Sequence, residues 1–157
     1  MSEWHVLLKA AHVLGAAVLF GTGLGIAFFM LMAHRTGRAA LIAHTAGVVV
    51  IADALFTATA VVLQPVTGAL LARQAGYSLG EGWIVLSLAL YVVTGLFWLP
   101  VVWIQLKLRD LARTAVEADA PLPAAYHRLF RIWFACGWPA FASVLAIVWL
   151  MIAKPSF

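Results

Sequence analysis

The sequence predicts an all-α integral membrane protein, a four-helix bundle with both termini on the outer (periplasmic) side. Three observations predict it. First, 65% of the 157 residues are hydrophobic and only 10% are charged, whereas a soluble domain carries roughly 25% charged residues. The mean hydropathy is accordingly +1.03. Second, the few charges leave four long apolar stretches between them. Third, Lys and Arg fall unevenly on the two sides of those stretches. The 7 Trp and 9 Phe exclude a disordered chain. A single cysteine, Cys136, excludes an intramolecular disulfide framework and any CxxC motif. The net charge of +4 belongs to the flanks of membrane spans and implies no nucleic-acid partner.

The spans follow from the gaps. Lys9 and Arg35 bracket 25 uncharged residues, Glu81 and Lys107 another 25, and Arg131 and Lys154 bracket 22. Arg38 and Arg73 bracket 34 residues whose one charge is Asp53. About 20 apolar residues cross the hydrocarbon core, so spans are expected at about 6–33, 41–72, 83–106 and 130–152, within a single domain over 1–157. Each must be helical, because lipid satisfies no backbone hydrogen bonds. The second span is longer than one crossing needs, and Gln64-Pro65 is the expected kink. The first is no signal peptide: it opens Met-Ser-Glu-Trp and its apolar run is too long.

Residues 107–129 form the one long loop. Its first part, 107–118, continues the third helix into water, until Pro121 and Pro123 break it. Tyr126, His127, Arg128 and Arg131 start the fourth helix as an interfacial belt suited to anionic lipid headgroups. The first and third loops together hold seven Lys and Arg, the opposite side three. The positive-inside rule therefore places these loops in the cytoplasm and both termini outside.

Ionisable residues at membrane depth are costly and mark candidate sites. His12 lies near the outer end of the first helix, with Gly15, Ala16, Leu19, Gly23 and Ile26 on its side. Such small residues leave room for a flat cofactor; Ala17, Gly21 and Gly25 form a second, small-residue packing edge. On the second helix Asp53, Thr57, Ala60, Gln64 and Gly68 make one stripe. Ser87, Tyr91, Thr94, Trp98 and Gln105 repeat it on the third. By depth, His12, Gln64 and Tyr91 group in the outer half; Asp53, Thr22, Trp98 and Ser143 group in the inner half. Asp53 is expected to be protonated, or paired with a group such as His12 or a cation.

These residues suit a b-type haem or porphyrin, with His12 as axial metal ligand. Gly15 and Gly23 would make room, Gln64, Tyr91 and Trp98 would line the site, and Asp53 would serve as the catalytic, proton-handling acid. His34, His44 and His127 gather near the cytoplasmic boundary, where Met30 and His34 (i, i+4) suit copper(I). Two other readings stand beside the redox protein: an accessory or assembly subunit of a homodimer or larger membrane complex, and a copper or small-cation permease. No nucleophile triad, phosphate loop or zinc motif is present, and whether the chain is an enzyme is left open.

Several phrases carry a resemblance. Leu8-Lys9-Ala10-Ala11-His12-Val13-Leu14-Gly15, Phe20-Gly21-Thr22-Gly23, Ala33-His34-Arg35-Thr36-Gly37, Gln64-Pro65-Val66-Thr67-Gly68 and Trp98-Leu99-Pro100-Val101-Val102-Trp103 resemble the bacterial integral membrane family called domain of unknown function 2269. More distantly, Lys9-x-x-His12-x-x-Gly15 with His34 on the same helix is similar to the opening of HemJ-type protoporphyrinogen oxidases and CopD-like proteins. That resemblance implies a four-helix haem b protein with His12 as the haem-binding histidine. Gly82-Trp83 matches the start of the third HemJ helix, but Ser87 stands where that family has a functional lysine.

Overall fold

The computed structural model describes residues 3–156, and among them every regular element is helical. Helix α1 spans Glu3–Arg35, α2 Ala39–Ala52, α3 Ala58–Gln74, α4 Gly82–Glu117 and α5 Ala124–Ala153. A π-helical turn at Asp53–Thr57 joins α2 to α3, so the two form one crossing over Ala39–Gln74. Four helical segments are thus long and apolar enough to cross a membrane. The protein is a four-span helical membrane bundle, as its composition requires.

The start of α1 and the end of α5 lie at one end of the bundle. His5 Nδ1 is 2.9 Å from Gln74 Oε1, and Lys154 Nζ is 3.5 Å from the Tyr77 hydroxyl. The opposite, basic end holds the Arg35–Arg38 turn and the end of α4, which runs on to Glu117 as its charged tail predicts. Gly76 ends α3 at φ +78°, a left-handed position where any Cβ would be strained. There the Tyr77 N–H reaches back to the Ala72 carbonyl and the Gly76 N–H to Arg73, closing the last turn.

The irregularity in the second span falls at Asp53 rather than at Pro65, which sits inside α3. The π turn hands the Asp53 carbonyl to the N–H of Ala58, five residues on. Pro65 has no N–H, so it leaves the Val61 carbonyl, four residues back, without its helical partner. The Tyr91 hydroxyl of α4 donates to that carbonyl. A helix break at membrane depth is thereby avoided.

Helix α4 packs along α5, α2 against α4, and α1 against α2 and α3, with α3 making no comparable contact with α4 or α5. The main apolar core fills the basic half, around Ile26, Met30, Ile42, Leu108, Tyr126 and Phe130. A smaller cluster of Ala72, Trp83, Ile84 and Leu150 closes the terminal end. Large apolar side chains such as Val62, Leu96 and Ile152 point outward, toward lipid. Most of the interior polar groups lie between the two clusters, where they divide into two separate sites.

Candidate functional site

The first site joins α1 to α3. His12 Nδ1 is 2.8 Å from Thr67 Oγ1. Thr67 Oγ1 in turn donates to the Leu63 carbonyl at 2.7 Å, with the Gln64 carbonyl at 3.2 Å. A hydroxyl has one proton, and Thr67 gives its proton to its own helix. With its proton given to its own helix, Thr67 accepts from the His12 tautomer that carries its proton on Nδ1 and keeps the Nε2 lone pair free.

Two glycines allow this closeness. A Cβ at Gly68 would stand 3.1 Å from His12 Cε1, and one at Gly15 only 2.8 Å from Gln64 Nε2. Gln64, buried, crosses over Gly15 and donates to the His12 carbonyl at 2.9 Å. The space at Gly15, expected to admit a cofactor, is therefore taken by Gln64. Gly23 faces open space, but it lies 11 residues from His12, about 16 Å along the helix. Tyr91 is one turn from Gln64 in depth, yet its hydroxyl is committed to the Val61 carbonyl.

The second site lies about 16 Å further toward the basic end, the rise of the 11 residues from Gln64 back to Asp53. Asp53 is 5% exposed. Trp98 Nε1 donates to its Oδ1 at 3.3 Å and Gln105 Nε2 to its Oδ2 at 3.2 Å. Trp133 Nε1 donates to Gln105 Oε1 at 3.0 Å. Indole nitrogen is a donor only, so Trp133 fixes which way the Gln105 amide points. Asp53 consequently meets N–H groups at both oxygens, a socket for an acceptor and a poor one for a cation. Its partners are Trp98 and Gln105, on α4, and not His12.

The sequence paired Asp53 with Trp98 by depth, and the structure brings those two together. Trp98 therefore belongs to the Asp53 site, away from His12. Trp133 was not foreseen: as one aromatic among many on α5, it carries no spacing signal. Thr67 was missed too, although it lies three residues after Gln64. His5, two turns before His12 on the same helix, was also passed over. Thr57 Oγ1 is buried and has no hydrogen-bond partner among the described residues, so it makes no bond to Asp53 one turn before it.

The three boundary histidines do not form one cluster, since His34 and His127 meet but His44 lies apart. His34 stacks on Phe130 with ring centroids 3.7 Å apart, and its Nδ1 lies 3.2 Å from the Tyr126 hydroxyl. His127 meets it edge-on at 6.0 Å. His44 instead lines a cleft with Arg109 and Arg113. Met30 is wholly buried in the core. Among the described residues no three of His, Cys, Asp or Glu gather as a metal-ligand set, so the copper(I) cluster is not assembled. Ser87 is buried and donates to the Trp83 carbonyl at 2.7 Å.

No curated protein and no solved structure matches the chain. A family profile described as predicted integral membrane protein (DUF2269) matches residues 6–155, a stretch that takes in nearly all of the four spans and both polar sites. The chain belongs to this family of predicted integral membrane proteins, DUF2269.

Proposed function

We propose that the chain is a multi-pass protein of the bacterial cytoplasmic membrane that holds a b-type haem or related porphyrin through His12 and serves electron transfer. The observation that carries this reading is the relay from His12 Nδ1 through Thr67 to the Leu63 carbonyl. A ligating histidine needs one nitrogen free and the other N–H held by an acceptor, which fixes tautomer and ring orientation. His12 meets both conditions on a half-buried face, so the residues present fit one axial bond.

A haem there would supply a one-electron couple. The chain's own residues do the rest. Thr67 orients the imidazole, while Gln64 and the paired glycines hold α1 against α3. Ala16 and Leu19, on the same face as His12, exclude water. Asp53, held by Trp98 and Gln105, is the interior group that takes up or releases a proton as charge in the bundle changes.

The test is a visible spectrum of the protein purified in mild detergent, oxidised and then reduced with dithionite. A near-stoichiometric Soret band, lost in His12→Ala and kept in His5→Ala and His34→Ala, supports the reading. A folded, colourless preparation that stays colourless after incubation with haemin sinks it.

A further inference from the structure

At the basic end a cleft of about 370 Å³ opens between α2 and α4. Its apolar floor is Ala43, Gly47, Val48 and Ile51 of α2; its charged rim is Arg109 and Arg113 of α4, with His44. Gly47 makes the cleft deep: a Cβ there would lie 3.6 Å from an Arg113 terminal nitrogen, Nη2, in ordinary contact, so a larger side chain would fill the space. Arg109 shares its guanidinium with Asp110, through bonds of 2.9 Å from Nε and 2.8 Å from Nη2. Arg113 has no carboxylate partner among the described residues, and it stays exposed.

The depth of the cleft decides what would occupy it. Arg109 and Arg113 follow directly on the uncharged stretch of α4 that ends at Lys107. They sit where a membrane's headgroups begin. Val48 and Ile51 run from there toward the bilayer interior, and both are more than half exposed. A charged rim over an apolar floor at that level matches a molecule with an anionic head and a hydrocarbon tail. A fork of N–H donors on Arg suits phosphate oxygens, and basic pockets between membrane helices bind anionic lipid heads.

We propose that this cleft is a specific site for one anionic glycerophospholipid. Its phosphodiester lies on Arg113, with Arg109 and His44 beside it, and one acyl chain runs along Val48 and Ile51. This site is independent of His12 and of any cofactor. It also differs from the general attraction of a basic loop for a charged surface, because the α2 floor gives it a shape.

The experiment is native mass spectrometry of the full chain released from nanodiscs of phosphatidylcholine containing a minor fraction of phosphatidylglycerol. Wild type should retain one phosphatidylglycerol per chain. Arg113→Gln should retain about tenfold less, the effect of one lost charge-assisted hydrogen bond, and Arg113→Lys an intermediate amount. Gly47→Leu keeps every charge but fills the cleft, and should also lose the lipid; each variant must elute as wild type does. Equal retention of phosphatidylcholine, or wild-type retention by both Arg113→Gln and Gly47→Leu, overturns the proposal. Displacement of the lipid by millimolar inorganic phosphate would also overturn it, since the site would then take the free anion.

Discussion

Gly68 on α3 lies against the imidazole edge of His12 on α1, where a Cβ would stand 3.1 Å from Cε1. Gly15 answers it from α1, with a Cβ position 2.8 Å from the Gln64 amide nitrogen. Each helix has lost a side chain where the other sends a polar one across. The pairing explains why two small residues face each other's polar groups at a depth where backbone and side chain must satisfy one another.

Gly15→Ala should push the Gln64 amide off the His12 carbonyl. The loss of one buried hydrogen bond costs about 1–3 kcal/mol. Gly68→Ala needs the ring to move by a few tenths of an ångström and should cost less. Gly21, with open space around it, is the control: its replacement by Ala should be neutral or stabilising by up to about 1 kcal/mol, the helix-propensity gain. Thermal unfolding in detergent reads all three. Equal losses at positions 15 and 21 would contradict the packing described.

The Tyr91 hydroxyl and Pro65 form a compensating pair through the Val61 carbonyl. Tyr91→Phe should destabilise the bundle by about 1–3 kcal/mol, the cost of an orphaned buried acceptor. Pro65→Ala restores an N–H to that carbonyl. The double variant should therefore lose less than Tyr91→Phe alone, and a double-mutant cycle measures the coupling. Strict additivity would show that the hydroxyl does something other than repair the proline.

How much of this was legible beforehand depends on which force fixes each feature. The spans could be read because charge and burial decide them, and the 25-residue gaps after Lys9 and Glu81 leave little choice. The meeting of Asp53 and Trp98 could be read from depth alone. The direction of the Gln105 amide could not, since it depends on Trp133, and no sequence interval links α5 to α4. The π turn at Asp53 was likewise hidden, while Pro65 drew attention as the expected kink. A proline shows in the sequence; the tyrosine that makes it harmless, 26 residues on, is visible only in the fold.

The chain Trp133–Gln105–Asp53–Trp98 sets an order of severity. Trp133→Phe keeps the ring but frees Gln105 to turn its oxygen toward Asp53, so it should cost about 1–3 kcal/mol. Trp138→Phe, at a position 65% exposed, should cost nothing measurable. Asp53→Leu strands two buried donors at once and should be worse than Asp53→Asn, which keeps one acceptor. Adding Gln105→Leu and Trp133→Phe together to Asp53→Leu should recover part of the loss, because only the Trp98 N–H is then left without its acceptor. Denaturation of purified variants tests the order, and a triple variant worse than the sum of its parts would refute the network.

The orientation of the bundle is a prediction with two outcomes. The basic end holds the Arg35–Arg38 turn, the 107–129 segment and Arg131, and so seven of the ten Lys and Arg. Translocating that end would carry these charges across the membrane, which is what the positive-inside rule disfavours. Alkaline phosphatase fused after Lys154 should therefore be active in a bacterial host, and fused after Ala118 inactive. A fluorescent protein at the same two sites should report the reverse. The opposite pattern would place both termini inside, and with them the His12 half of the bundle on the cytoplasmic side. Replacing Arg35 and Arg38 by Gln leaves five against three and should blur the assignment. If it does not, the remaining basic residues of the 107–129 segment and α5 hold the orientation by themselves.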